Sequence, residues 1–341
     1  MSQDSKNTDH SGVWILAEQT DGRIGRISRE LLTRGKALAD KLQTDLTAMV
    51  FGCDIPQADL QDLIACGADR VIATEAPELA TFLVEPYSAC AARLIEQYRP
   101  EILLAGATST GRTLMPYLAI KIHAGLTADC TVLDIEPETN NLLQTRPAIG
   151  GNILATIKTP VHRPQMATVR PHSTRPAEPQ EGRSGQIVRL EAPPELLSSR
   201  VRRTGFTPSS DEMNIQDADA VVCAGRGVKR GENIAMISEL ADSLGAAVGA
   251  TRDVIDRGWM TYPHQIGLSG TTITPKLYIG VGVSGSIQHI AGMGTSDHII
   301  AINNDPDAQI FQIAELGLVG DLFEIVPVLI RKLKAATGET G

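Results

Sequence analysis

The residues best suited to chemistry lie in the last third of the chain. Leu277 to Val281 reads as a buried strand that runs into Gly280, Gly282 and Gly285 at G-x-G-x-x-G spacing, interleaved with Ser284 and followed by Ser286, Ile287, Gln288 and His289. Glycines at such a turn allow positive φ and close backbone approach, so main-chain amides can face a pyrophosphate. The same region carries Arg226 between two glycines, the pair Thr251 and Arg252, the run Gln265, Ile266, Gly267, Leu268, Ser269, Gly270, and Asn303 with Asp305. A guanidinium such as Arg252 or an imidazole such as His289 stabilises negative charge on a bound redox ring, most strongly where water is excluded. A hydroxyl such as Ser269 can donate or accept as a ring nitrogen gains a proton.

Each of these residues also has a plainer reading. Ser269 alone is a turn residue, and His289 alone a structural helix-start residue. Arg252 could pair on the surface with Asp253 or Asp256. Asn303 and Asp305 could shape the turn before Pro306, and Asp321 could cap a helix. The order and spacing of the whole set favour the ligand reading.

Elements must hold these residues in place, and the chain is long enough for two domains with proper cores: 341 residues, 42% hydrophobic. From Val13 to Gly106 short apolar strands alternate with helical periodicity (Ile24, Ile27, Leu31, Leu38 and Leu42 on one face; Leu79 to Tyr98 as another helix), which predicts a largely parallel sheet covered on both faces. From Ala128 to Arg170 the pattern predicts an antiparallel extension. The Pro-, Arg- and Glu-rich stretch from Pro171 to Arg203 reads as the end of the first domain plus a linker. A second α/β unit is expected from Ala218, its last helix starting near Val326 with Pro327 in the first turn. The expected division is a disordered 1–12, an N-terminal α/β domain over 13–200, a C-terminal domain over 205–336 and a disordered 337–341. The fold class is therefore α/β, with two doubly wound sheets, the second Rossmann-like.

The net charge of −9 argues against nucleic acid or an anionic membrane as partner. Five scattered cysteines without a C-x-x-C pair argue against zinc, an iron–sulfur cluster or a disulfide scaffold. The N-terminal residues lack an apolar signal-peptide core and no apolar run reaches spanning length, so a cytoplasmic protein is expected.

The segments Gly225-Arg226-Gly227, Val248 to Arg252, Pro275 to Ile279, Ser284 to Met293, Ile302 to Pro306 and Gly320 to Phe323 together resemble the C-terminal domain of the electron transfer flavoprotein alpha subunit. Over residues 13–170 the similarity is looser, mainly in strand–helix order. The resemblance implies FAD as cofactor, contacted by Arg226, Thr251, Arg252, Gln265, Ile266, Gly267, Leu268, Ser269, Ser284, Gly285, Ser286, Ile287, Gln288, His289, Asn303, Asp305, Asp321 and Leu322. It places Arg252 against the isoalloxazine ring, Ser269 near flavin N5 and His289 near the O2 carbonyl. Two departures bear on the ring's surroundings: Thr251 stands where serine is common, and Leu268-Ser269 replaces the commoner Gln-Thr pair.

The resemblance further implies a heterodimer with a beta subunit that holds AMP or a second FAD. It implies a redox carrier rather than a substrate-transforming enzyme, serving flavin dehydrogenases such as an acyl-CoA dehydrogenase, as a relay or within an electron-bifurcating complex. The flavin domain would swivel on a linker near Arg200 to Gly205. Gly106 to Arg112 follows a strand and opens a helix; the favoured reading is a nucleotide-fold loop now used for packing. The rivals are an NAD-dependent dehydrogenase, from Gly280 to Gly285 with Asp305 about 20 residues on, and a non-catalytic nucleotide-binding subunit. Against the first, the segment from Ser286 to Gly294 is short for a Rossmann crossover helix, and no Cys/His or Tyr/Lys catalytic set lies nearby.

Overall fold

A computed structural model of the chain describes residues 10–20, 22–148, 153–205, 215, 216 and 218–337. The chain divides into two compact units, the first ending in the 200s and the second carrying the C-terminal third. The segments 1–9 and 338–341, within the expected disordered ends, lie outside the described residues. Ser11 and Gly12, assigned to the disordered start, are instead joined to the sheet: Ser11 N–H donates to Arg99 O at 3.0 Å and Gly12 O accepts from Glu101 N–H at 3.0 Å.

In the first unit β1 (Val13–Ala17) leads through the small hairpin β2 (Gln19–Thr20) and β3 (Arg23–Ile24) to α1 (Arg26–Leu42), then β4 (Leu46–Gly52), α2 (Gln57–Ala65), β5 (Arg70–Glu75), α3 (Val84–Tyr98), β6 (Ile102–Gly106) and α4 (Ser109–Lys121). Next come β7 (Leu126–Cys130), β8 (Val132–Ile135), β9 (Leu142–Ala148), β10 (Ile153–Ile157), β11 (Gln165–Val169) and β12 (Gln186–Glu191). Seven strands form one parallel sheet in the order β12-β5-β4-β1-β6-β11-β7. The antiparallel extension is the separate sheet β10-β9-β8.

Strand alternation explains the two-sided burial. Val13, Ile15 and Ala17 face one core with Leu31 and Leu38 of α1 and Leu60 of α2, while Trp14 and Leu16 face the other with Leu94 of α3 and Leu114 of α4. Two expectations shift here. The helix expected from Leu79 begins only at Val84, after a separate short turn at Pro77–Leu79. The stretch after Pro171, read as the end of the first domain plus a linker, belongs to the first unit as far as β12: Ala177 N–H bonds Arg29 O, Gln180 N–H bonds Ala65 O, and Arg183 bonds Asp69 at 2.7 Å, delivering β12 to the edge beside β5.

The second unit runs β13 (Ala220–Ala224), α5 (Ile234–Asp242), β14 (Ala247–Ala250), α6 (Arg252–Asp256), β15 (Leu277–Val281), α7 (Ile287–Ile290), β16 (His298–Asn303), β17 (Leu316–Val319) and α8 (Leu322–Thr337). Its parallel sheet has the order β14-β13-β15-β16-β17. Val222, Ala224, Ile279 and Val281 pack on α5 and α8; Val221, Cys223 and Tyr278 face the other side, with Ile266, Ile273 and Met293. α8 starts four residues before the expected point, so Pro327 lies inside it. The start is fixed by Asp321, whose carboxylate accepts the Phe323 amide at 2.9 Å.

Candidate functional site

In the second sheet the chain goes from β13 outward to β14, then returns to the other side of β13 as β15. Open parallel sheets bind ligands at such a reversal, at the carboxyl ends of the strands. The loops leaving β13 and β15 meet there through glycine. Gly225 N–H donates to Val281 O at 2.8 Å and Gly227 N–H to Gly282 O at 3.1 Å. A Cβ on Gly225 would lie 2.1 Å from Gly282 O, and Gly282 itself has φ +65°. No larger residue fits this contact, so the glycine spacing serves loop-on-loop packing as well as access from outside.

A cleft of about 710 Å³ opens over these loops, lined by residues from the ends of β13, β14, β15 and β16 together with the 265–269 loop. It gathers Arg226, Thr251, Arg252, Gln265, Ile266, Gly267, Leu268, Ser269, Ser284, Gly285, Ser286, Gln288, His289, Asn303 and Asp305 from the residues singled out in the sequence. Three others lie outside its lining: Ile287 is 77% exposed, Leu322 is buried in the core under α8, and Asp321 caps that helix. Gly227, Asp253, Gly282, Val283 and Asn304 also line the cleft.

The polar groups fall into two sets. The first is held by the protein. Asn303 donates to Val283 O at 2.8 Å and accepts from Asp305 N–H at 3.0 Å, tying β16 to the glycine loop. Asp305 accepts from Asp307 N–H at 3.0 Å. Gln265 Nε2 donates to Ser269 Oγ at 3.0 Å, while Tyr262 donates to Ser269 O at 2.9 Å. The Ser269 oxygen therefore accepts from within the loop and keeps its own O–H proton to donate. Leu268 N–H bonds Gln288 O at 2.7 Å, which fastens the loop to α7.

The second set has ligand capacity left over. Thr251 Oγ1 is buried without a hydrogen-bond partner, a costly state for a hydroxyl. Among the described residues no acceptor takes the amides of Ser284, Gly285 or Ser286. Arg226 and Arg252 are largely exposed, with long ion pairs to Asp253 at 3.6 Å and Asp256 at 3.4 Å. Such exposed pairs are weak and leave the guanidiniums able to reorient.

His289, expected as a cation or a hydrogen-bond donor, is held by the protein itself. It is buried, with Nδ1 at 3.2 Å from Ile266 O and Nε2 at 2.7 Å from the Tyr278 hydroxyl. Burial pulls its pKa down to about 4, so the ring is neutral near pH 7. Sequence reasoning gave no role to Tyr278, because a tyrosine in an apolar strand reads as core. The one available signal was its polar tip in a strand otherwise made of Leu, Ile, Gly and Val.

The first unit has the corresponding reversal between β1 and β6. There Thr108, the N-cap of α4, donates to both oxygens of Glu18 at 2.7 and 2.9 Å and accepts from Gly111 N–H at 3.1 Å. A carboxyl group of the chain itself thus occupies the place where an anion would sit.

Two doubly wound α/β units, the second with a glycine-lined cleft of about 710 Å³ at its sheet reversal, define a nucleotide-cofactor protein. Residues 13–195 match the Electron transfer flavoprotein domain, and residues 214–294 match the Electron transfer flavoprotein FAD-binding domain. The chain is 43% identical to the electron transfer flavoprotein subunit alpha of Thermoanaerobacterium thermosaccharolyticum, over 96% of this chain and 98% of the relative. It is also 43% identical to that of Clostridium acetobutylicum, with the same coverage. It is 38% identical to the lactate dehydrogenase (NAD(+),ferredoxin) subunit LctC of Acetobacterium woodii, over 95% of this chain and 77% of that one. The chain belongs to the electron transfer flavoprotein alpha subunit family. Its cofactor is FAD and its family partner is a beta subunit. The dehydrogenase alternative built on Gly280 to Gly285 is not favoured; the helix that follows has only four residues.

Proposed function

We propose that the cleft of the second unit seats FAD with its pyrophosphate on the amides of Ser284 to Ser286 and its isoalloxazine beside Thr251, Arg252 and the 265–269 loop. The observation that carries this placement is the buried, unpartnered Thr251 hydroxyl in the cleft wall, a donor waiting for an acceptor. FAD supplies the isoalloxazine that takes up and releases electrons; the protein binds it, shields it and tunes it. Ser269, its oxygen held by Gln265, presents a hydroxyl proton to a ring nitrogen. Arg226 and Arg252 supply positive charge at the rim once they leave their aspartates. Ile287, Asp321 and Leu322 contribute through the fold around the cleft rather than at its wall.

The complex then carries electrons in the cytoplasm from a flavin dehydrogenase, such as an acyl-CoA dehydrogenase, to an acceptor, with AMP or a second FAD held by the beta subunit. The bifurcating alternative draws on the likeness to a subunit of a ferredoxin-linked lactate dehydrogenase. Purifying the chain with its beta partner and counting nucleotides tests both parts. One FAD plus AMP per heterodimer supports a relay and two FAD support bifurcation, whereas a colourless complex overturns the placement.

A further inference from the structure

Below the cleft wall, three polar side chains meet in an apolar core. Cys223 of β13 and Tyr278 of β15 are both fully buried, and His289 is 5% exposed. The Ile266 carbonyl can only accept a hydrogen bond, so the imidazole proton sits on Nδ1. In a neutral ring Nε2 is then a bare acceptor, and the Tyr278 hydroxyl 2.7 Å away must donate to it. The two rings stand 6.0 Å apart between centroids and 53° between planes, tilted rather than stacked. Behind the phenol, Cys223 belongs to the same core cluster as Tyr278; its thiol donates to Ala224 O at 3.9 Å and its sulfur lies 4.0 Å from Nε2. Burial pushes the Cys223 thiol up to about 12, so the S–H stays protonated.

We propose that Tyr278 is the positioning residue that fixes the tautomer and orientation of His289 at the cleft wall, with Cys223 backing the phenol. The proposal rests on the reading of the cleft as the FAD seat. The phenol donates to Nε2, while Nδ1–H points away to Ile266. With both ring nitrogens engaged, the imidazole holds no N–H for a ligand and carries no charge. Among the described lining residues, the cationic ones are then Arg226 and Arg252. The buried cluster makes the ring a fixed neutral wall, and an isoalloxazine beside it meets a constant environment rather than a titrating one.

The test uses the full chain with its beta partner, labelled with ¹⁵N-histidine and measured with and without FAD. The His289 signals are identified by their loss in His289→Gln. The expected wild-type pattern is one protonated nitrogen at Nδ1 and one bare nitrogen at Nε2, unchanged between about pH 5.5 and 8, the range where a free imidazole titrates. In Tyr278→Phe, where nothing fixes Nε2 as the bare nitrogen, the two nitrogen signals should move toward each other. The visible circular dichroism of bound flavin should change at unaltered FAD stoichiometry. Cys223→Ser, which leaves the phenol–imidazole bond in place, should retain the wild-type pattern. A wild-type ring protonated at Nε2 overturns the proposal, as does Tyr278→Phe with wild-type nitrogen signals and dichroism. If Tyr278→Phe does not fold, the wild-type spectrum alone still decides the tautomer. A wild-type complex that takes up no FAD overturns the cleft reading instead, and the imidazole pattern of the flavin-free chain remains a separate result.

Discussion

Burial decides what several of the ionisable residues can do. Glu18 is largely enclosed, and desolvation raises its pKa to about 7 against the help of Thr108. The raised value means the folded protein holds a proton that the unfolded chain has lost, between the ordinary carboxyl pKa and about 7. The group's contribution to stability is therefore complete at low pH and declines as pH rises through that window. A shift of this size is worth on the order of 3 kcal/mol when the carboxyl is ionised above its folded pKa. Glu18→Gln should accordingly unfold at a higher temperature than wild type at pH 8 and near the same temperature at pH 5, as read by calorimetry. His289 works in the opposite sense: its lowered pKa costs stability as pH falls from the ordinary imidazole value toward about 4. The two slopes oppose one another over the range they share. Neither was legible in the sequence, since a glutamate after a strand and a histidine after a glycine loop carry no mark of burial. The types of chemistry were legible: hydroxyl, guanidinium and imidazole do line one cleft.

At the level of elements, the glycine loops were readable because their spacing is forced by backbone contact. Gly225→Ala places a methyl group about where the Gly282 carbonyl oxygen already sits. That clash cannot relax without separating the loops after β13 and β15. The expected outcome is loss of FAD uptake and a second unit several degrees less stable, with a cost of roughly 2–4 kcal/mol as for other forced backbone and core overlaps. Absorbance of the purified variant and thermal unfolding followed in parallel would check it; a yellow protein of normal stability would refute the interlock. The elements misread from sequence share a cause. Where the first domain ends between Pro171 and Arg203 was not legible from its Pro, Arg and Glu, because the pattern of a segment stitched to a surface by hydrogen bonds is not periodic. The last helix was started late because Pro327 resembles a first-turn proline, whereas the Asp321 cap fixes the beginning.

At the level of the molecule, the two units have separate cores and separate sheets. Added FAD should therefore raise the unfolding temperature of the second unit's transition and leave the first where it was. At a free concentration about 100 times Kd the gain is about 2.7 kcal/mol. Calorimetry of the flavin-free chain with and without FAD reads this directly; equal shifts of both transitions would contradict it. Division into two α/β halves could be read from the alternation of strands and helices. Strand order could not, because a sequence does not say which edge a late strand joins. Among the described residues, no helix is long and apolar enough to cross a membrane.

The late arrival of β12 has a consequence for synthesis on the ribosome. Arg189 and its partner Glu75 are 114 positions apart, so β5 waits as an open border until that much more chain has emerged. Unpaired borders recruit other strands, and nascent chains are most exposed to this while such a border stays bare. A fragment ending at residue 185 should collect in inclusion bodies when expressed, whereas one ending at residue 200 should stay dispersed. If both behave alike, the last strand is not the latch that closes the half-made sheet.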